Sequence, residues 1–281
     1  MDMYNGRVAV VTGGADGIGR SLTEALAQAG MTVAILDVRG DAAQETAAAI
    51  TSAGGKAQAY VCDVTLYDQL EATAAAVKAD LGAVSLLCVN AGVGAAGGMI
   101  SASPKAIDWV FAVNARGVID TLRAFVPRMD DAAGPRHVCF TASSASLTSP
   151  SGPLALYAGS KHATIGVAEA AAAELETMGI GCTILCPGLI NTRIWDGARA
   201  RPEHFGGPRF MPEATGDHWR TTGMAVDWVA EEALKAIFAC ARYCAPIDVH
   251  SANDFEMRAC AIRAGFALWQ DRDRTRWPDP A

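Results

Sequence analysis

Short apolar runs rich in β-branched residues alternate along the chain with longer stretches of helical period. Arg7–Thr12, Thr32–Asp37, Ala57–Cys62, Ser85–Val89, Arg136–Thr141, Gly181–Cys186 and Ala245–Val249 are apolar nearly throughout, without the in–out alternation of a half-exposed strand. That is the pattern of parallel strands covered on both faces. Between the runs, helices are predicted over Ile18–Ala29, Asp41–Ser52, Tyr67–Leu81, Ile107–Met129, Leu156–Met178 and Val226–Ala241. Alternating strands and helices joined by right-handed crossovers make an α/β fold, a three-layer, doubly wound parallel sheet. No Pro-, Gly- or Ser-rich linker divides the chain, so residues 1–281 are expected to form a single domain.

Two stretches break the rhythm. Residues 189–223 are rich in Arg, Pro, Gly and aromatics and too long for a plain connection between a strand and a helix. They follow the sixth strand, at the carboxyl edge of the sheet where such folds bind ligands, and are expected to cover a substrate. After the last strand comes a helical tail over 252–271. In it Phe255, Ala259, Ile262, Phe266 and Trp269 recur at spacings of four, three, four and three, one apolar stripe on a helix.

Composition narrows the partners. Hydrophobic residues make up 51% of the 281 and charged residues 19%, enough for a large core. Lys and Arg number 23 against 30 Asp and Glu, a net charge of −7, which argues against nucleic acid and against anionic membrane as partners. No apolar run is long enough to span a bilayer and the first residues carry no secretion signal, so a cytoplasmic protein is expected. The eight cysteines contain no CxxC pair, and most lie in apolar runs where cysteine acts as a small hydrophobe. The five histidines are scattered, and Cys240-x3-Cys244 lacks further ligands nearby, so no metal site is expected.

The first strand runs into Thr12-Gly13-Gly14-Ala15-Asp16-Gly17-Ile18-Gly19. Gly13 permits a tight turn, Gly17 a close approach of backbone to a pyrophosphate, and Gly19 close packing of helix on strand, while the helix amino terminus offers free N–H groups. This is a dinucleotide-binding turn, and it makes the predicted sheet Rossmann-like. The second strand ends at Asp37, eighteen residues after Gly19. A carboxylate there accepts both ribose hydroxyls of an adenosine and repels a 2′-phosphate, so NAD is expected as cofactor, with Val38 beside the same corner. Asp16 adds negative charge, and Arg39 is the cation near in sequence.

Tyr157 and Lys161 lie four residues apart, on one face of a helix. An ammonium nearby favours phenolate, so Tyr157 is a candidate general acid/base on an alcohol or ketone oxygen. Ser144, thirteen residues earlier and just past the fifth strand, could hydrogen-bond the same oxygen.

With these motifs the chain resembles the short-chain dehydrogenase/reductase family over about residues 6–250: TGxxxGIG at Thr12–Gly19, Asp63-Val64, Asn90-Ala91-Gly92, Val113-Asn114, Ser144, Tyr157 with Lys161, and Pro187-Gly188 with Thr192. The resemblance implies that Asp63 and Val64 flank the adenine, that Asn90, Ala91 and Gly92 line the cofactor, and that Pro187, Gly188, Ile190 and Thr192 touch the nicotinamide end. It further implies that Asn114 disrupts its helix and holds a water in a proton relay with Lys161, that Ser144 orients the substrate oxygen, and that Lys161 binds ribose and depresses the pKa of Tyr157. Relatives pair the two helices Ile107–Met129 and Leu156–Met178 across a two-fold axis, which implies a homotetramer or homodimer, with Ala168, Ala171, Ala172 and Leu175 read as an outer face.

Substrate contacts are expected from Val93, Gly94, Ala145, Ser146, Leu154 and Leu189, and from Trp195 and Trp219 of the covering stretch, with Phe205, Phe210 and Met211 beside them. These are uncharged or large and apolar, and Arg193 and Arg199 are read as facing solvent or pairing with Asp196 or Glu203. The expected reaction is therefore NAD-dependent interconversion of a bulky, largely apolar secondary alcohol and its ketone. The tail and the TRIWDGARARPEHF stretch are similar to those of members that oxidise bulky aromatic alcohols. An NADPH-dependent carbonyl reductase of the same family, a catalytically silent dinucleotide sensor, and an isomerase or dehydratase of the longer family type are the alternatives.

Overall fold

The computed structural model describes residues 2–94, 98–129, 134–148, 150 and 152–270. Seven strands form one parallel sheet: β1 (Val8–Thr12), β2 (Thr32–Asp37), β3 (Lys56–Val61), β4 (Val84–Val89), β5 (His137–Thr141), β6 (Gly181–Leu185) and β7 (Tyr243–Cys244). Their order is β3-β2-β1-β4-β5-β6-β7, so the direction of winding reverses between β1 and β4. A crevice opens at the carboxyl ends of the strands at such a reversal.

The helices are α1 (Gly17–Gln28), α2 (Gly40–Ser52), α3 (Tyr67–Leu81), α4 (Pro104–Phe111), α5 (Gly117–Phe125), α6 (Ala155–Thr177), α7 (Asp217–Thr222), α8 (Val226–Phe238) and α9 (Val249–Gln270). They cover both faces of the sheet. On one face Leu70, Ala74, Trp109, Phe125, Leu156 and Ala168 pack on Val10, Leu87 and Phe140. On the other, Leu22, Leu26, Ile50, Val229 and Ile237 pack on Val11, Ile35 and Leu86. This explains the apolar runs: β1, β4 and β5 are buried along their whole length.

Three expectations need correction. The third strand is not covered on both faces. It is an edge strand whose polar residues Gln58 and Tyr60 reach Asp80 of α3 at 2.9 and 3.0 Å. The last strand covers Tyr243–Cys244 and not Ala245–Val249, because Pro246 has no N–H for a ladder. Its carbonyl still accepts the Gly188 N–H at 3.0 Å, and Val249 already begins α9, capped by Asp248 through the N–H groups of His250 and Ser251 at 2.8 and 2.9 Å. The helix expected over Ile107–Met129 is interrupted by a π turn at Ala112–Arg116.

Residues 189–223 form no regular layer. They contain 3₁₀ turns at Ile194–Ala200, Glu203–Phe205 and Glu213–Gly216, then α7. Backbone bonds from Asn191 N–H to the Met224 carbonyl and from Met224 N–H to the Leu189 carbonyl, each 2.9 Å, pinch the two ends together. The excursion leaves and rejoins the fold at one point beside the crevice. Among the described residues no helix is long and apolar enough to cross a membrane.

Candidate active site

Local backbone demands shape the first turn. Gly13 and Gly17 hold φ of +63° and +52°, the left-handed region that disfavours side chains. At Gly19 a Cβ would stand 2.0 Å from the Gly13 carbonyl oxygen, so the helix can approach the strand only without one. Asp16 caps α1 by accepting the Gly17 N–H at 2.8 Å. Thr12 ties this turn to the one after β4: its hydroxyl accepts the N–H groups of Asn90 and Ala91, both at 3.0 Å. Asn90 returns its amide to the Thr12 and Gly13 carbonyls at 3.1 and 3.3 Å.

At the end of β2, Asp37 is nearly buried, and its two carboxylate oxygens accept the N–H groups of Ala15 and Arg39 at 3.2 and 3.0 Å. The charge around it differs from expectation. Arg39 lies against both Asp37 (3.5 Å) and Asp16 (3.4 Å). Arg199 reaches over from the covering segment to Asp16 at 2.5 Å and does not pair with Asp196 or Glu203 through its Nη2. Arg193 takes the expected partner, Asp196, at 2.8 Å. Two guanidinium groups thus meet two carboxylates at this corner.

The second cluster stands where β4, β5 and α6 converge. Lys161 is buried and donates to the Thr141 carbonyl at 2.9 Å. Burial lowers its pKa to about 8, opposed in part by the neighbouring Cys186. A Cβ at Gly92 would lie 3.0 Å from Lys161 Nζ, so the glycine leaves the ammonium open to the cleft. The phenol of Tyr157 is pushed upward by burial, and the nearby Ser143 hydroxyl acts in the opposite direction.

Ser143 and Ser144 both border the cleft beside Tyr157. The Ser144 N–H is held by the Pro187 carbonyl at 2.8 Å, and Ser144 is half-buried on the wall, whereas Ser143 is buried and its hydroxyl accepts the Ala145 N–H at 3.2 Å. Ser146 is a correction. It is buried, donates to the Ser143 carbonyl and stands back from the cleft.

Asn114 also stands behind the wall. Its side chain is fully engaged: Oδ1 accepts the Val93 N–H, and Nδ2 donates to the Val93 carbonyl and the Ser160 hydroxyl, each at 2.9 Å. The π turn frees its carbonyl from the helix ladder, and this accepts the Thr164 hydroxyl at 2.6 Å. These bonds fix the turn at Val93 against the helix that carries Tyr157.

All residues assigned above to the cofactor border a single cleft of about 510 Å³, together with Ser143, Ser144, Ala145, Leu154, Leu189, Trp195 and Trp219. Met211 joins them, whereas Phe210 is 77% exposed and Phe205 packs on the core instead. Val93 and Gly94, also expected to face the substrate, border the cleft too, and the lining was under-read at Arg39, Trp109, Arg199, Asp248 and Ser251. The glycine cradle, free N–H groups at the start of α1 and the Asp37 carboxylate fit a nicotinamide dinucleotide in this cleft, and the Thr141 hydroxyl on its wall is buried without a partner. Among the described residues no cluster of His, Cys, Asp and Glu could hold a metal.

Comparison with known proteins agrees with this geometry. The family model for short chain dehydrogenases matches residues 7–203. The 1-deoxy-11-beta-hydroxypentalenate dehydrogenase of Streptomyces exfoliatus is 38% identical over 203 residues, 72% of this chain and 73% of its own. A C alpha-dehydrogenase of Sphingobium sp. is 32% identical over 73% of this chain and 68% of its own. Among solved structures, a short chain dehydrogenase/reductase from Burkholderia phymatum in complex with NAD superposes with a TM-score of 0.86 at 31% identity, over 94% of this chain and 97% of that one.

Proposed function

The chain belongs to the short chain dehydrogenase family, and from that premise we propose that it is an NAD-dependent enzyme interconverting a bulky, largely apolar secondary alcohol and its ketone. The observation that carries the proposal is the convergence of Tyr157, Ser144 and Lys161 on the cleft that also holds the glycine turn and Asp37. When bound, the nicotinamide supplies the hydride acceptor or donor. In oxidation Tyr157, as phenolate, takes the hydroxyl proton of the substrate. Ser144, half-buried on the same wall, donates a hydrogen bond to that hydroxyl's oxygen. Lys161, anchored on the Thr141 carbonyl, would bind the nicotinamide ribose and favour the phenolate of Tyr157. Asn114 is a positioning residue that locks the Val93 turn to α6. In reduction Tyr157 returns the proton.

The substrate class rests on the apolar wall: Ala145, Leu154, Leu189, Trp195, Met211 and Trp219 border the mouth. An NADPH-dependent carbonyl reductase is the second reading, favoured by Arg39 and Arg199 at the ribose corner, which could pair with a 2′-phosphate. Nearly buried Asp37 favours NAD, since its charge cannot be moved out of the way. Homodimeric or homotetrameric assembly is part of the proposal. The outer face of α6 is not Ala168, Ala172 and Leu175, which are buried in the subunit's own core. It is Gly166, Ala170 and Ala173, small residues that permit close helix approach. The free thiols of all eight cysteines suit a reducing, cytoplasmic setting.

The test is Tyr157→Phe. Turnover should fall by about a thousandfold or more while NAD binding stays within a few-fold, because the ring remains and only the proton carrier goes. Substantial turnover in the variant would refute the mechanism, and equal kcat/KM for NAD and NADP in the unmodified protein would favour the second reading.

A further inference from the structure

α9 has 22 residues and leaves the body of the protein at the mouth of the cleft, where Asp248 and Ser251 line the wall. Arg258 fastens its first half to the Leu147 carbonyl at 3.4 Å. Ser251, Ala252, Arg258 and Ala259 are half-buried and Phe255 is 38% accessible, whereas beyond them Ile262 (47%) and Phe266 (65%) stand exposed, as Met257 does off the stripe. The exposed half of the stripe gains the helix little stability by itself, since most helical stability comes from packing such a stripe. The Trp269 side chain, which continues the stripe in the sequence, lies outside those described.

The spacing of four, three and four from Phe255 through Ala259 and Ile262 to Phe266 is the seam of a two-helix coiled coil. The charges beside the seam select its partner. Glu256 and Arg263 flank one edge, and Arg258 and Gly265 the other. In a parallel pair of two such helices, Arg258 of one would face Arg263 of the other, a repulsion. In an antiparallel pair each edge meets its own kind. Layering Ala259 on Ile262 and Phe255 on Phe266 then brings Glu256 of each copy to Arg263 of the other, twice, and sets Arg258 against Gly265. One register satisfies the apolar layers and the charges together.

We propose that α9 is an assembly surface that pairs antiparallel, across a two-fold axis, with α9 of a second copy of this chain. The pairing extends from the wall of the cleft, so it braces Asp248 and Ser251 from outside. It is separate from the outer face of α6 and does not depend on the reaction proposed above.

The experiment compares the full chain with Glu256→Arg, Arg263→Glu and the double exchange Glu256→Arg/Arg263→Glu, by light scattering over a dilution series. Both positions are exposed, and thermal unfolding confirms that each variant is folded. Each single change turns two attractions into two repulsions and should weaken assembly by roughly tenfold or more. The double exchange restores the complement and should recover assembly. If α6 also pairs, the single variants fall from tetramer to dimer; if it does not, they fall from dimer to monomer. A monomeric unmodified protein, single variants that assemble as well as it does, or a double exchange that fails to recover would each overturn the proposal.

Discussion

The two ends of the cleft are built by different means. The dinucleotide end is cross-tied between secondary structures: Thr12 spans to Asn90 and Ala91, Asp37 to Ala15 and Arg39, and the glycines sit where a Cβ would collide. The covering end is a single excursion of 3₁₀ turns and one short helix, pinched at its base. It is held within by Arg193, Asp196 and the carbonyls around Arg199. One end must match a ligand of fixed shape, so its backbone is fully specified. The other must match one substrate among many, and there side-chain size on a loop decides. The two ends meet at one ion pair, Asp16 with Arg199, where the cover closes on the glycine turn.

Substitutions at the two ends should therefore fail differently. Replacing Asp37 by Ala together with Val38→Arg should move the NAD to NADP preference by about a hundredfold in kcat/KM, since removing a buried like charge from a 2′-phosphate is worth about 2–3 kcal/mol. Alcohol preference should not change. Ser144→Ala, at the junction of the two ends, should lower kcat about thirtyfold, the worth of one hydrogen bond to a charged oxygen. Ser143→Ala should act on the pH profile instead. The Ser143 hydroxyl holds the phenol pKa down, so its loss raises that pKa, and the half-maximal pH of oxidation should move upward. Full turnover in Ser144→Ala would show that Ser144 is not the hydroxyl that meets the substrate.

Effects at the covering end should be smaller and selective. Trp219→Ala should reduce the advantage of a polycyclic alcohol over propan-2-ol by about tenfold, on the order of two buried methylenes, with little change for the small alcohol. Arg199→Ala should raise the NAD dissociation constant by only about threefold, because the Asp16 bond is partly exposed and screened. A large loss of NAD affinity in Arg199→Ala would mean that the cover beyond Thr192 also holds the cofactor, and the distinction between the ends would fail.

What the sequence disclosed divides along the same line. The glycine turn, Asp37 and the Tyr157–Lys161 pair were legible because each is a local pattern with a local physical reason. The sheet followed from apolar runs, although β3 showed that an apolar run can sit at an edge and β7 that a proline ends one early. Contacts across long separations were not legible. Arg199 meets Asp16 from 183 residues away, and nothing in either neighbourhood announces it. The turn that carries Ser144 is fixed by its N–H bond to the Pro187 carbonyl, beyond β6, another contact over a long separation. Ser146 was assigned to the substrate on position alone, and a 3₁₀ turn carries it inward. The depressed pKa of Lys161 likewise depends on burial between strands and not on its neighbours in sequence.

The central claim is that a hydride-transfer centre of fixed chemistry sits beneath an apolar cover that selects size. It is tested most directly by one kinetic series: formation of reduced nicotinamide with NAD, over secondary alcohols from propan-2-ol through a benzylic to a polycyclic member. The account predicts that kcat/KM rises by more than about tenfold along the series, since each buried methylene is worth about 0.8 kcal/mol. A flat series, or a best substrate that is a short sugar acid or a phosphate ester, would contradict it.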